Sequence, residues 1–302
     1  MSVPCYSPLE GYRDPDTGGI VFKRPLRAVV EDMSVACGQC LGCRLNYSST
    51  WAMRIVHEAH DWPFNCFITL TYRDKCDATP DQFRQGHYIP DDFSLSLDHF
   101  QRFMKRFRRR VDFPIRYFMC GEYGDKFLRP HYHACIFNFD FSDRRLFRED
   151  NGYRLYTSPF LDRLWPYGFS TIGELNYTTA AYCSRYILKK ITGVRAEEHY
   201  KRVFTGDDND QLVCGEVYWV RPEFVTMSRR PGIGRNFYDR FSSDFFPSDE
   251  VPVPGRGVFK KVPRYYQEVL READPELFAE IQDRRQSFRA ANEEEYTPAR
   301  LQ

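Results

Sequence analysis

An α+β fold with a largely antiparallel sheet is what this chain of 302 residues predicts, and three observations carry that expectation. Segments of helical and strand periodicity follow one another as helix, strand, helix, strand, strand, strand, helix. Two of the strands are joined by a connection that holds Gly124, Asp125 and Pro130, which suits an antiparallel hairpin with a long loop. The hydrophobic content of 42% is enough for one large core, or one core plus an appended region.

Residues 1–36 read as irregular, with a turn-forming run at positions 16–19 and prolines at positions 4, 8, 15 and 25. Residues 45–60 place Trp51, Ile55 and Ala59 at helical spacing, with Met53 and Val56 beside them. Residues 66–72 (CFITLTY) are β-branched and aromatic and predict a strand, and residues 73–95 a polar connection. Ser96 suits a helix N-cap with Asp98 in the first turn. Leu97, Phe100, Phe103, Met104 and Phe107 then follow at helical spacing, and Pro114 closes the segment. Residues 115–122 and 131–139 predict the hairpin strands, and residues 168–175 a short further strand. Asn176 caps a helix expected to run to about Thr192, with Gly193 at its C′ position. Past a division near residue 200 the patterns weaken. Residues 213–220 suggest a strand and residues 264–273 a helix, and Pro275 opens a second helical stretch.

The net charge of +1 makes the whole chain no magnet for nucleic acid, but six of the residues 101–110 are basic. Lys105, Arg106 and Arg109 belong to this cationic helix face and are candidate DNA contacts. Aromatic residues, 17% of the chain, serve a core first and base stacking second. Residues 1–14 lack an apolar signal core, and no stretch is long enough to cross a bilayer. The expectation is a cytosolic protein whose ten cysteines are free, metal-bound or catalytic rather than paired.

Four clusters can carry chemistry. His131 and His133 are separated by one residue on a strand, so both imidazoles face one side; chance gives roughly 0.2 such pairs here. Antiparallel pairing brings Glu122 beside them, and two imidazoles with a carboxylate suit Mn²⁺ or Mg²⁺ acting on a phosphate. The same set also describes non-haem iron oxygenases. Tyr182 and Tyr186 lie one helical turn apart, at a spacing that chance alone supplies roughly 1.3 times and that core aromatics share. Lys189 and Lys190 follow, and a lysine near a phenol favours the phenolate that a tyrosine nucleophile needs. Cys37, Cys40 and Cys43 form C-x-x-C-x-x-C, expected roughly 0.01 times by chance. Zinc with Cys5 as fourth ligand fits this spacing, with His57 or His60 as substitutes and an iron–sulfur cluster as the rival. Residues 227–237 (MSRRPGIGRNF) carry Arg229 and Arg230 among glycines, a loop able to hold a phosphate through guanidiniums and backbone amides or simply a basic turn.

Three of these segments, in this order, resemble the HUH endonucleases: CFITLTY at 66–72, the metal motif HYH at 131–133, and the two-tyrosine motif YCSRYILK at 182–189. The resemblance is nearest to replication initiators of the microviruses, in particular the gokushovirus branch, because CGQCLGCR, GEYG and MSRRPGIG are similar to theirs. It covers roughly residues 1–240. Tyr132 in the middle of the metal motif is bulky but not aliphatic, a departure from the general pattern. The resemblance implies a ferredoxin-like or RRM-like palm with a five-stranded antiparallel sheet flanked by helices, behind a cysteine-rich zinc element. The division it suggests is an N-terminal zinc segment at 1–44, the endonuclease domain at 45–200 and an accessory region at 201–302. The implied activity is site-specific nicking of viral origin DNA by tyrosine attack, with a 5′-phosphotyrosyl link and later rejoining, in the cytoplasm of a bacterial host. It also implies host helicase and polymerase as partners and none in a membrane. A zinc-stabilised nucleic-acid-binding module without catalysis is the reading from another class.

Overall fold

The computed structural model describes residues 4–14, 19–24, 32–125, 127–150, 152–185, 194–204, 207–208, 211–212, 216–259 and 261–291. Near the N-terminus β1 (Leu9–Arg13), β2 (Ile20–Val21) and β3 (Asp32–Val35) form a small antiparallel sheet where irregular chain was expected. These strands are too short and polar to show an alternation in sequence. Helix α1 (Leu41–His60) starts earlier than its apolar stripe suggests, so that Cys43 joins its first turn.

The central sheet is built from β4 (Asn65–Tyr72), β5 (Arg116–Tyr123), β6 (Pro130–Phe137), β7 (Arg145–Asp150), β8 (Tyr153–Thr157), β9 (Gly168–Gly173) and a late strand. Between them lie α2 (Pro80–Arg84), α3 (Leu97–Arg108), α4 (Pro159–Leu164) and, after β9, α5 (Tyr177–Arg185). The chain continues through α6 (Val194–Tyr200), β10 (Lys201–Phe204), β11 (Asp207–Asp208), β12 (Gln211–Leu212) and β13 (Glu216–Trp219). The late strand is β14 (Phe224–Met227), followed by α7 (Arg235–Phe245), β15 (Val251–Val253), β16 (Gly257–Phe259), α8 (Arg264–Ala273) and α9 (Pro275–Ala291). The sheet order is β14-β5-β6-β4-β9-β8-β7, with every neighbouring pair antiparallel.

Seven strands replace the five expected. The β7–β8 hairpin escaped notice because it is charged and largely exposed, so its alternation is masked. A bulge between Leu146 and Arg148 further breaks the period in β7. β14 is only four residues long, and although it lies beyond residue 200 it pairs with β5 along Phe224↔Gly121 to Met227↔Phe118. Asn176 caps α5 as its position suggested: its side chain accepts from Thr179 N–H at 3.0 Å, and its own N–H donates to Thr179 Oγ1 at 2.9 Å. The described part of this helix ends at Arg185. The expected continuation to Thr192, with Tyr186, Lys189 and Lys190, lies outside the described residues.

Alternation divides the sheet into two faces. Ile68, Leu70, Tyr72, Met119, Tyr132, Ala134, Ile136 and Ile172 point to one side and pack on Phe100, Phe103, Met104 and Phe107 of α3. Each phenylalanine fully removed from water there contributes about 1.5–3 kcal/mol. Tyr132 belongs to this core. Its hydroxyl accepts from Ser96 N–H at 2.8 Å, donates to Ser96 O at 3.0 Å and shares a hydrogen bond with Tyr72 at 2.7 Å. A phenol replaces the usual aliphatic residue because the start of α3 satisfies its oxygen. Phe67, Phe118, Cys120, Cys135 and Phe137 point to the other side, under Ala52 and Ile55 of α1 and Ala180 and Cys183 of α5.

Helices α1 and α5 approach closely because the contact is made of small residues. Ser184 Oγ donates to Ser48 O at 2.9 Å, and Ser48 Oγ lies 3.0 Å from Ser184 Oγ. The late part of the chain clamps α1 from outside. His57 Nδ1 meets Tyr266 Oη at 2.8 Å and its Nε2 meets Pro252 O at 2.9 Å, while burial pushes its pKa down to about 4. Under α1, the buried Glu58 pairs with Arg116, whose Nη2 also donates to Pro231 O at 2.8 Å.

Candidate active site

Strand register builds the site. Glu122 lies opposite His131 across β5–β6, and His133 lies opposite Thr69 across β6–β4. All these side chains share the α5 side of the sheet. Glu122 Oε1 is 2.9 Å from Nε2 of both His131 and His133, and Glu122 and His133 are buried. Burial works to raise the Glu122 carboxyl, but the two histidine hydrogen bonds outweigh it and hold the pKa down at about 2.

The other nitrogens are already engaged. His131 Nδ1 donates to Arg129 O at 3.0 Å, and His133 Nδ1 is 3.0 Å from Thr69 Oγ1. In a neutral His131 the carbonyl fixes the proton on Nδ1, so Nε2 turns a lone pair toward the carboxylate. Two acceptors that face each other need a cation between them, a proton or a metal ion. The three ligand atoms lie within 4.8 Å of one another, so this donor set fits a divalent ion. Thr69 and the Arg129 carbonyl escaped the sequence reading. The signal for Thr69 was present, since Thr69 and Thr71 alternate in CFITLTY as His131 and His133 do in their strand.

Helix α5 brings Tyr182 over this triad. Its ring meets that of His133 edge-on at 5.0 Å between centroids, and 38% of the residue is exposed. The neighbouring Cys183 anchors the helix, with its buried thiol 3.5 Å from His133 O and 3.5 Å from Cys120 Sγ. Tyr186, Lys189 and Lys190 lie outside the described residues, so only one of the two expected tyrosines can be located.

A second cluster gathers Cys5, Cys37, Cys40 and Cys43, with all four sulfurs within 4.8 Å. Cys5 Sγ is 3.6 Å from Cys37 Sγ and 3.7 Å from Cys40 Sγ. A tetrahedron with Zn–S near 2.3 Å has edges of about 3.8 Å. Backbone N–H groups of Cys37, Tyr6 and Cys40 donate to Cys5, Cys40 and Cys37 sulfurs, each at 3.3 Å. The Cys43 backbone holds the Cys40 thiol down at about 6, whereas burial pushes Cys43 up to about 12. His57 is excluded as a substitute ligand because both of its nitrogens are occupied on the far side of α1; His60 stacks edge-on with Phe237 and Phe241. Purified protein is expected to carry about one equivalent of zinc, and chelation should loosen the N-terminal segment, read as new protease cleavage before residue 44. Iron with acid-labile sulfide, or folded protein free of metal, would refute this assignment.

The remaining candidates lie away from the triad. Helix α3 covers the opposite face of the sheet. There Lys105 and Arg109 are exposed, while Arg106 donates to Leu164 O at 2.9 Å and lies over the Tyr167 ring. Arg229 and Arg230 are exposed beyond the end of β14, past the Phe118 end of β5 and roughly 20 Å along that strand from Glu122. The phosphate cradle expected in MSRRPGIG is corrected: Gly234 N–H donates to Glu58 Oε2 at 2.8 Å, so a carboxylate fills that place. The glycines serve close packing, since a Cβ on Gly234, at φ +77°, would lie 2.3 Å from Tyr266 Oη.

Comparison with known proteins bears on this arrangement. A family model described as that of the replication-associated protein ORF2 matches residues 65–191, the span from β4 through α5. The chain is 33% identical over 264 residues to replication-associated protein ORF2 of Spiroplasma virus 4, covering 85% of this chain and 74% of that protein. It is 30% identical over 270 residues to replication-associated protein VP4 of Bdellovibrio phage phiMH2K, with 87% and 76% covered. Replication-associated protein ORF4 of Chlamydia phage 1 is 26% identical over 248 residues, 78% of this chain and 53% of that one. No solved structure matches.

Proposed function

Because the chain belongs to the family of phage replication-associated proteins, we propose that it starts rolling-circle replication by nicking origin DNA with a tyrosine. The observation that carries this reading is the Tyr182 ring 5.0 Å from His133, on the face where Glu122, His131 and His133 converge. A Mn²⁺ or Mg²⁺ ion held by these three residues would supply positive charge to polarise the scissile phosphate.

The chain's own part is positioning. Thr69 and the Arg129 carbonyl fix the imidazoles, so the ligand atoms need no rearrangement when DNA arrives. α5 holds the Tyr182 phenol beside the place where the phosphate would lie. Attack by its oxygen on phosphorus forms a 5′-phosphotyrosyl bond and breaks the bond to the 3′ oxygen, which leaves as a free hydroxyl. The energy of the phosphodiester is kept, so rejoining needs no ATP. A free 3′-OH and a displaced strand call for a host polymerase and helicase, the partners proposed here, in the cytoplasm of the bacterial host. Among the described residues no helix is long and apolar enough to cross a membrane. Lys105 and Arg109 on the far face suit non-specific attraction of flanking duplex rather than contact with the scissile strand.

The deciding experiment incubates the protein with supercoiled origin DNA and Mn²⁺, then separates products on a denaturing gel. An open circle with protein bound at the 5′ end supports the proposal. Tight binding without any cleavage would leave the chain a nucleic-acid-binding module.

A further inference from the structure

The sheet face that holds the triad is roofed on one half only. α1 and α5 cover β5, β6 and the Phe67 end of β4, where Phe118, Cys120, Cys135 and Phe137 are buried. The other half, β9-β8-β7, is exposed or half-buried on this side. Phe169 of β9 stands there. Successive register pairs run Glu122↔His131, His131↔Thr71 and Thr71↔Phe169, so Phe169 lies in the same transverse row as two of the ligands. Its neighbours Gly168 and Ser170 turn to the opposite side and are buried, whereas Phe169 is 63% exposed. Two strand spacings separate it from His131, about 10 Å. That is roughly the span of two or three stacked nucleotides at about 3.4 Å each.

An exposed phenylalanine on an inner strand keeps apolar surface in water without serving the core. The Arg73 guanidinium lies 5.9 Å from its ring centroid and is itself held by Gln82 Oε1 at 2.7 Å. A flat ring with a fixed cation beside it matches what a nucleobase and its phosphate need. Beyond it, Thr171 and Thr157 continue the row of small side chains, and the exposed Arg145, paired with Thr157, adds a second cation at the far edge.

We propose that Phe169 is a stacking platform for single-stranded DNA, which takes a base one or two nucleotides from the phosphate at the triad. This positioning role rests on the DNA-nicking reading, but it can be tested without cleavage. Binding of fluorescein-labelled oligothymidylate is measured by anisotropy in EDTA for the wild type, Phe169→Ala, Phe169→Trp and Phe64→Ala. Phe64 is 62% exposed just before β4, at the opposite end of that strand, and serves as the control. Phe169→Ala is expected to weaken binding roughly five- to hundred-fold. Phe169→Trp should keep the affinity, and its added fluorescence should be quenched by the oligonucleotide; Phe64→Ala should bind like the wild type. Unchanged binding by Phe169→Ala, an unquenched tryptophan, or equal loss in Phe64→Ala would each overturn the proposal. Loss of binding confined to Phe169→Ala, together with a wild type that never forms an adduct, would keep the platform and remove the nicking reaction.

Discussion

Glu122→Ala, His131→Ala and His133→Ala are each expected to lower the nicking rate by at least about a hundred- to thousand-fold, the scale of removing one electrostatic contact to a developing charge. The three side chains share one job, so a double variant should be scarcely worse than a single one. Glu122 faces both imidazoles through one oxygen at 2.9 Å, and its loss leaves two lone-pair nitrogens with no anion to balance a bound cation. Titration calorimetry with Mn²⁺ should show the loss of affinity directly, while circular dichroism stays that of the wild type. Thr69→Ala is the graded counterpart. It removes the partner of His133 Nδ1 but no ligand, and should cost about 10- to 100-fold in metal affinity. Full activity in Glu122→Ala would end the assignment of the carboxylate.

The second large effect concerns the tyrosines. A circle begun by one phenol must be finished while that phenol is still esterified to the old 5′ end. A second nucleophile must then reach the same phosphate. Tyr182 lies beside His133, and Tyr186 follows four positions later, one turn of about 5.4 Å if the helix continues. Tyr182→Phe or Tyr186→Phe alone should leave some nicking of single-stranded origin DNA but impair repeated rounds. The double variant should give no covalent adduct at all. Peptide sequencing of labelled adducts should find both tyrosines; attachment mapped to any other tyrosine, or an adduct with the double variant, would defeat the proposal.

What could be read from the sequence was whatever is periodic and self-contained. The α3 stripe, the hairpin strands 115–122 and 131–139, and the Asn176 cap carry their own signal over a few residues, and the structure has β5, β6, α3 and α5 close to those places. The juxtaposition of Glu122 with His131 also followed from local reasoning, because a hairpin pairs residues near in sequence. Long-range features were not legible. Nothing local says that FVTM at 224–227 pairs with β5, or that Glu58 takes the Gly234 amide from a position 176 residues away. Charged exposed strands such as β7 carry no hydrophobic period, so two of the seven strands could not be anticipated. Tyr132 looked like an irregularity in the metal motif, and only the distant Ser96 backbone explains it.

The outer edge of the sheet has a consequence of its own. β7 ends the strand order, and it exposes Leu146 and Phe147 at 58% and 64% beside backbone groups with no strand on that side. Such an edge is a template for another copy of the chain. Here a bulge interrupts it, and Arg145, Arg148 and Glu149 crowd the same few residues, which makes edge-to-edge docking costly through like-charge repulsion and desolvation. Mobile ions screen that repulsion and equally displace the protein from nucleic acid. Ionic strength therefore pulls two behaviours apart: concentrated buffer favours self-association of the free protein, and dilute buffer favours its dispersal onto DNA.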